Sequence, residues 1–222
     1  MSSTSTPVYR RIVIVGLAVV PLLTLSACQA GASGNLYGYD FSTARITYNI
    51  TGSSVGTSEI LIKGEKKVIH NNIVQTKLDG TKTSINNYLI QDGDKLYSLD
   101  QTQKIASSLK QPFYAELQKL SPQDRPARMI TEALRINSTP DNPAEAPKPE
   151  KTETIAGQVC DYYNTGTMTK TCLWEGIPLH TVTSLPDYGI QTETIATKIE
   201  LNQPIADSEF AVPSDYKLTE LN

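Results

Sequence analysis

Any chemistry in this chain has to come from a small inventory of three cysteines, two histidines and dispersed carboxylates. His70 lies in a strand-like run, and His180 follows Pro178-Leu179 at the start of another. The two form a joint site only if folding brings distant strands together, and the plain reading is two unrelated, partly exposed imidazoles. No Gly-x-Ser-x-Gly elbow, Walker loop, dinucleotide fingerprint or His-Glu-x-x-His helix occurs. Asp92-Gly93-Asp94 starts like a calcium loop but lacks the later oxygen ligands and the closing Glu, so it reads as a hairpin turn. No pair of carboxylates stands out. The inventory argues against an enzyme and offers no catalytic or metal-ligating residue, which leaves the cysteines.

Cys28 has a distinctive setting. Arg10 and Arg11 precede an apolar run from Ile12 to Leu25, which ends in Leu25-Ser26-Ala27-Cys28. A basic start, a short apolar stretch and small residues at its end form the secretory pattern. The run is interrupted by Pro21 and falls short of the roughly 20 residues that span a bilayer; an uncleaved anchor is the alternative. Leu-Ser-Ala-Cys resembles the bacterial lipobox. That resemblance implies removal of residues 1–27 and a covalent diacylglyceryl and N-acyl lipid on Cys28, with no other cofactor. Several acyl chains hold a protein firmly where one does not. Gln29 lacks the aspartate signal for inner-membrane retention, so a two-membrane cell would carry the protein on the periplasmic face of its outer membrane. A one-membrane cell would carry it on its outer face.

Losing Arg10 and Arg11 with no acid takes the net charge from −3 to −5. That sign gives no reason to lie flat on anionic lipid and no footprint for nucleic acid. Residues 28–40 begin rich in Gly, Ala and Ser and read as a tether reaching on the order of 20 Å. The rest, 41–222, is long enough for one domain of modest core, with apolar residues at 39% of the whole chain.

With Cys28 lipidated, Cys160 and Cys172 remain in an oxidising compartment. Two β-prone runs flank Thr165-Gly166-Thr167 between them, so the pair reads as a cross-strand disulfide contributing about 3 kcal/mol in the chain-entropy model. Directly opposed cysteines would place Gly166 at the centre of the hairpin and require a turn of odd length or a bulge. A redox pair is the alternative, but the spacing is wider than in exchange motifs.

The elements around these residues are mainly strands. Ala44, Ile46, Tyr48 and Ile50 alternate with Arg45, Thr47 and Asn49, which is period two. Turn signals at Gly64-Glu65, Asp79-Gly80 and Asp92-Gly93 divide the following chain into strands near 57–63, 66–78, 82–91, 95–99 and 104–107. Asn71-Asn72 suggests a bulge in the second of these. Pro112 opens a helical pattern with Phe113, Leu117 and Leu120, and a second helix runs from Arg125 or Pro126 to about Ile136. Residues 137–150 hold four prolines and read as an exposed loop. Both Asn-x-Thr triplets, at Asn49 and Asn137, read as chance matches, since the lipobox resemblance implies a bacterium. Strands near 152–155, 179–184 and 190–201 complete the chain. The expected fold is mainly β (α+β): a curved antiparallel sheet or half-open barrel of about ten strands, with two short helices inserted mid-chain.

Four ordered pieces support a resemblance. They are Glu153–Cys160, Cys172-Leu173-Trp174-Glu175-Gly176-Ile177-Pro178-Leu179, Ala196–Asn202 and Phe210-Ala211-Val212-Pro213. Together they resemble an uncharacterised family of secreted bacterial proteins associated with the LolA/LolB-like fold of lipoprotein carriers. The resemblance implies a half-open barrel with helices across its mouth and an apolar cavity between them. Tyr48, Ile60, Ile62, Tyr88, Met129, Ile130, Leu134 and Trp174 are then the cavity candidates, against the alternative that they are plain core. Two functions follow from the two readings. One is binding of an acyl chain or other hydrophobic envelope ligand; the other is a structural or sensory lipoprotein that binds an envelope protein. A shared fold does not choose between them.

Overall fold

The computed structural model describes residues 37–136, 148–165 and 168–221. Residues 1–27, Cys28, most of the expected tether, positions 137–147 of the Pro-rich loop and the centre of the disulfide hairpin lie outside the described residues. Among those described, no helix is long and apolar enough to cross a membrane.

Among the described residues, twelve strands form a single sheet that curves without closing. The first six are β1 (Thr43–Gly52), β2 (Ser54–Lys63), β3 (Lys66–Thr76), β4 (Lys82–Asp92), β5 (Lys95–Asp100) and β6 (Ile105–Lys110). They form an antiparallel meander. Helices α1 (Pro112–Leu117) and α2 (Arg125–Ile136) follow, and then β7 (Lys151–Ile155), β8 (Gln158–Thr165), β9 (Thr169–Trp174), β10 (Ile177–Leu185) and β11 (Ile190–Leu201). β11 returns to pair with β1, joining the halves in the order β6-β5-β4-β3-β2-β1-β11-β10-β9-β8-β7. β12 (Lys217–Glu220) adds a parallel strand outside β6. The sheet therefore exceeds the expected ten strands.

Three expectations about turns and register change. The β3–β4 connection is not a two-residue Asp79-Gly80 turn but a five-residue loop, 77–81, in which the Asp79 carboxylate accepts from the Thr81 amide at 2.9 Å and hydroxyl at 2.6 Å. Asp92 pairs with Lys95, so the next turn is Gly93-Asp94. Asn71 and Asn72 sit in unbroken register with both neighbours, and the bulge expected there is absent. Bulges fall instead between Thr47 and Tyr48 opposite β11, and between Pro178 and His180 opposite β9. Amides on a strand face need only hydrogen-bonding neighbours, whereas a strongly curved sheet needs bulges where it bends.

Burial explains the architecture. Ala44, Ile46, Tyr48 and Ile50 are buried on one face of β1, as the alternation predicts. The continuous run Ile60-Leu61-Ile62 is buried on both faces, at 7, 2 and 1% exposure. Ile60 and Ile62 belong to the main core beneath α1, and Leu61 to a second core with Val68, Ile90 and Leu99. The second core is covered by the C-terminal segment through Ile205, Phe210, Val212 and Tyr216. That segment is why the meander strands do not alternate between buried and wet faces.

Candidate functional site

The concave face of the sheet holds most of the candidate residues, and the chain fills much of that face itself. Tyr37, Tyr39 and Phe41 run into β1 as a stack, with ring centroids 5.2 and 4.8 Å apart, and Trp174 continues it 5.4 Å from Phe41. Tyr37 and Tyr39 are 0 and 7% exposed, so the tether expected over 28–40 ends earlier and its last residues are core. Alternate aromatic residues in an extended segment share one side, which is the signal in Tyr37-Gly38-Tyr39-Asp40-Phe41 that a linker reading overlooks. Gly38 is required there, since at φ +75° an added Cβ would lie 2.3 Å from the Pro122 carbonyl oxygen.

The structure splits the cavity candidates into three groups. Tyr48, Ile60, Ile62, Met129 and Trp174 meet in the main core. Ile130 and Leu134 face another way, packing with Tyr163 and Leu173. Tyr88 lies on the opposite face of the sheet with the second core, its hydroxyl donating to the Glu209 carbonyl at 3.0 Å. A single cavity lined by all eight residues is therefore excluded. α2 bridges two clusters, because Met129 packs against Gly176 while Leu134 packs with Tyr163 and Leu173. Two hydroxyls in the main core, of Tyr37 and Tyr48, have no hydrogen-bond partner among the described residues. Burial pushes the Tyr48 phenol far above its ordinary range, and burial aided by nearby Tyr114 does the same to Tyr37.

Unfilled space remains at the end of the sheet where β1 begins. A pocket of about 170 Å³ is lined by Lys67, Ile69, Leu89, Gln91, Leu96, Gln111 and Tyr114. Its roof is the start of α1, a six-residue helix whose N-cap Gln111 makes no side-chain cap bond. α1 is held through buried Leu117 and through Phe113, over whose ring the Arg128 guanidinium sits at 4.9 Å. Arg128 also pairs with Glu116 at 3.8 Å and Glu132 at 3.5 Å, fastening α1 to α2. At the far end of the strands an open depression of about 470 Å³ is lined by Gly52, Ser53, Lys77, Leu78, Tyr188 and Gln191, among others.

The disulfide joins Cys160 to Cys172 with Cα atoms 5.4 Å apart. Its register differs from direct opposition. Tyr162, not Cys160, stands opposite Cys172, and the bridge runs diagonally. The intervening turn has the odd length expected but is centred one residue later, since Thr165 pairs with Thr169.

This register also assembles a polar group that was not foreseen. Tyr162, Cys172 and His180 lie in one cross-strand row, and the small cysteine lets the phenol reach the imidazole. The Tyr162 hydroxyl and His180 Nδ1 are hydrogen-bonded, and His180 Nε2 lies 2.8 Å from Glu193 Oε1. Because a carboxylate only accepts, Nε2 carries the proton to Glu193, and in the neutral ring Nδ1 accepts from Tyr162. Lys151 lies 4.3 Å from the Tyr162 ring centroid and 3.1 Å from Glu153. Burial, then the Glu153 and Glu193 carboxylates, push the phenol up to about 12. A phenol held protonated is no nucleophile at neutral pH, so the row ties β8, β10 and β11 together. His70 is elsewhere, bonded to Asn86 at 3.0 Å, so the histidines share no site. The register that made His180 a partner of Tyr162 depends on three strands and a bulge, which no local motif encodes.

No family model and no curated protein matches the chain. Solved structures do resemble it. One is an uncharacterized conserved protein from Thermus thermophilus (TM-score 0.47, 5% identity, 81% of this chain and 91% of the other). LprF from Mycobacterium bovis matches at TM-score 0.32 and 8% identity, over 80 and 91% of the chains. A LolA superfamily protein from Nitrosomonas europaea matches at TM-score 0.28 and 8% identity, over 81 and 94%.

Proposed function

We propose that the mature chain is a membrane-anchored bacterial lipoprotein whose concave face receives an acyl chain or another hydrophobic envelope ligand. The observation that carries this reading is the unfilled, largely apolar pocket under α1, on a face that is otherwise packed. The roof is a six-residue helix with no side-chain cap, held by Leu117, Phe113 and Arg128 rather than by its own backbone, because short isolated helices gain little from that backbone. Beneath it lie Ile69, Leu89 and Leu96, continuous with the main core through Ile69. Tyr37 packs edge-on against Tyr114 of the pocket wall, so the chain enters the domain beside the pocket.

The test is displacement of a neutral fluorescent reporter, N-phenyl-1-naphthylamine, by palmitate from the full-length chain carrying Cys28→Ser. Uptake at micromolar ligand, weakened by Leu89→Trp or Leu96→Trp in the pocket, is the expected result. Absence of uptake would refute the reading. The second reading, a protein partner, draws on exposed Val55, Leu78 and Tyr188, at 55, 68 and 61%, on the loops and strand ends distant from the pocket. Photocrosslinking from position 188 in cells would then trap one defined protein, whereas a ligand carrier shows none there.

A further inference from the structure

We propose that the pocket under α1 is the head-group subsite of a single-chain amphiphile with an anionic head, a carboxylate or a phosphate monoester, paired with the Lys67 ammonium. The proposal rests on the ligand-binding reading and names the class of ligand. Three lysines stand near one another at this end of the sheet, and they are treated differently. Lys63 pairs with Asp207 at 2.8 Å and Lys66 with Asp92 at 3.5 Å. Lys67 points to the other face and has no ion-pair or hydrogen-bond partner among the described residues. It lies in register with Ile62 and Gln91, which are 1 and 5% exposed.

Half-buried lysines that lack a carboxylate are uncommon, because the ammonium loses water and gains nothing. Burial alone lowers the Lys67 amine, with no opposing charge to raise it again. The polar neighbours do not supply an anion. The Gln91 amide nitrogen donates to the Gly93 carbonyl at 2.8 Å, and Tyr114 and Gln111 bring only neutral groups. Behind Tyr114, with its ring edge-on at 6.0 Å, lies Tyr37, fully buried with its unpaired hydroxyl. An anionic oxygen entering the pocket restores the missing partner of Lys67. The attached chain then runs over Ile69, Leu89 and Leu96. Basic, unpaired and lined by aliphatic side chains, the pocket excludes cationic heads by charge and leaves alcohols with no ionic gain.

The experiment uses the full-length Cys28→Ser chain and three ligands of equal chain length: palmitate, hexadecyl phosphate and 1-hexadecanol. Each displaces N-phenyl-1-naphthylamine from the parent chain and from Lys67→Met, Lys67→Gln and Lys67→Arg. The expected result is that at least one anionic ligand binds about tenfold or more tightly than hexadecanol. Both neutral variants should erase that difference, while Lys67→Arg keeps it and hexadecanol binds all four chains alike. Whichever anion is favoured identifies the head as carboxylate or phosphate. Equal binding of all three ligands, unchanged by the substitutions, would overturn this proposal while leaving the ligand-binding reading intact. Binding of none would overturn both. Circular dichroism of each variant separates loss of the charge from loss of the fold.

Discussion

Tyr48→Phe should stabilise the ligand-free protein. The residue is 3% exposed in the middle of β1, and its hydroxyl has no hydrogen-bond partner among the described residues. Folding removes that oxygen from water without compensation, which costs about 1–3 kcal/mol. Phenylalanine keeps the ring and its packing against the main core and removes the unpaired group. Taking the lower end, because the ring can shift slightly, gives a gain of about 1 kcal/mol. For a domain of this size that raises Tm by about 2–4 °C. Urea denaturation followed by tyrosine and tryptophan fluorescence should show a higher midpoint at an unchanged slope, since the surface exposed on unfolding is the same. Destabilisation by 1 kcal/mol or more would refute the reasoning, because it would mean that the hydroxyl is satisfied by water or ligand in the folded protein.

Gly176→Ala should be strongly destabilising, by about 2 kcal/mol or more, because a Cβ at φ +85° would lie 2.7 Å from the Met129 Cβ; thermal melts would show it, and a neutral result would mean that α2 does not press on the β9–β10 turn. Replacing both Cys160 and Cys172 with serine should lose about 3 kcal/mol, the chain-entropy value for a bridge with a sequence separation of 12, and dithiothreitol should reproduce the loss in the parent chain. In alkali the sign follows from Tyr162. Its folded-state phenol is raised to about 12 against about 10 unfolded, so its contribution is whole below pH 10 and lost as pH climbs through 12. Ultraviolet titration at about 295 nm should show late phenolate formation, and Tyr162→Phe should make the alkaline limb of stability shallower.

Local periodicity carried much of the fold into the sequence. The alternation in β1, the Pro112 start of α1 with Phe113 and Leu117 inside it, and the extent of β11 could all be read because each pattern is set by one element's own geometry, whereas Leu120 lies beyond the end of α1. What was illegible depends on partners far along the chain. The parallel strand β12 and the cover over Leu61, Val68 and Ile90 come from a C-terminal segment with no periodic pattern of its own. Asp92 was misplaced into a turn because Asp-Gly is a favoured turn pair, and cross-strand pairing with Lys95 outweighed that local preference. The site was read less well than the fold. The sequence placed Tyr48, Ile60, Ile62 and Trp174 among one set of contacts, but it could not separate Tyr88, Ile130 and Leu134 onto other faces. Nor did it mark Lys67, which meets no carboxylate among the described residues. Lys63 and Lys66 meet their carboxylates only through Asp207 and Asp92, far along the chain, so nothing local sets the three lysines apart.

Among the described residues, this unclosed sheet leaves two margins of peptide groups that no further strand bonds. Here those margins are β7 and β12, five and four residues long and mostly exposed. Lys151, Glu153, Lys217 and Glu220 punctuate them with charge. Brevity and alternating sign make a poor template for a neighbouring copy, so crowding many copies side by side does not invite them to zip into a continuous ribbon. The curvature that opens the concave face is thus tolerated because the rims it exposes are too short and too charged to recruit more of the same chain.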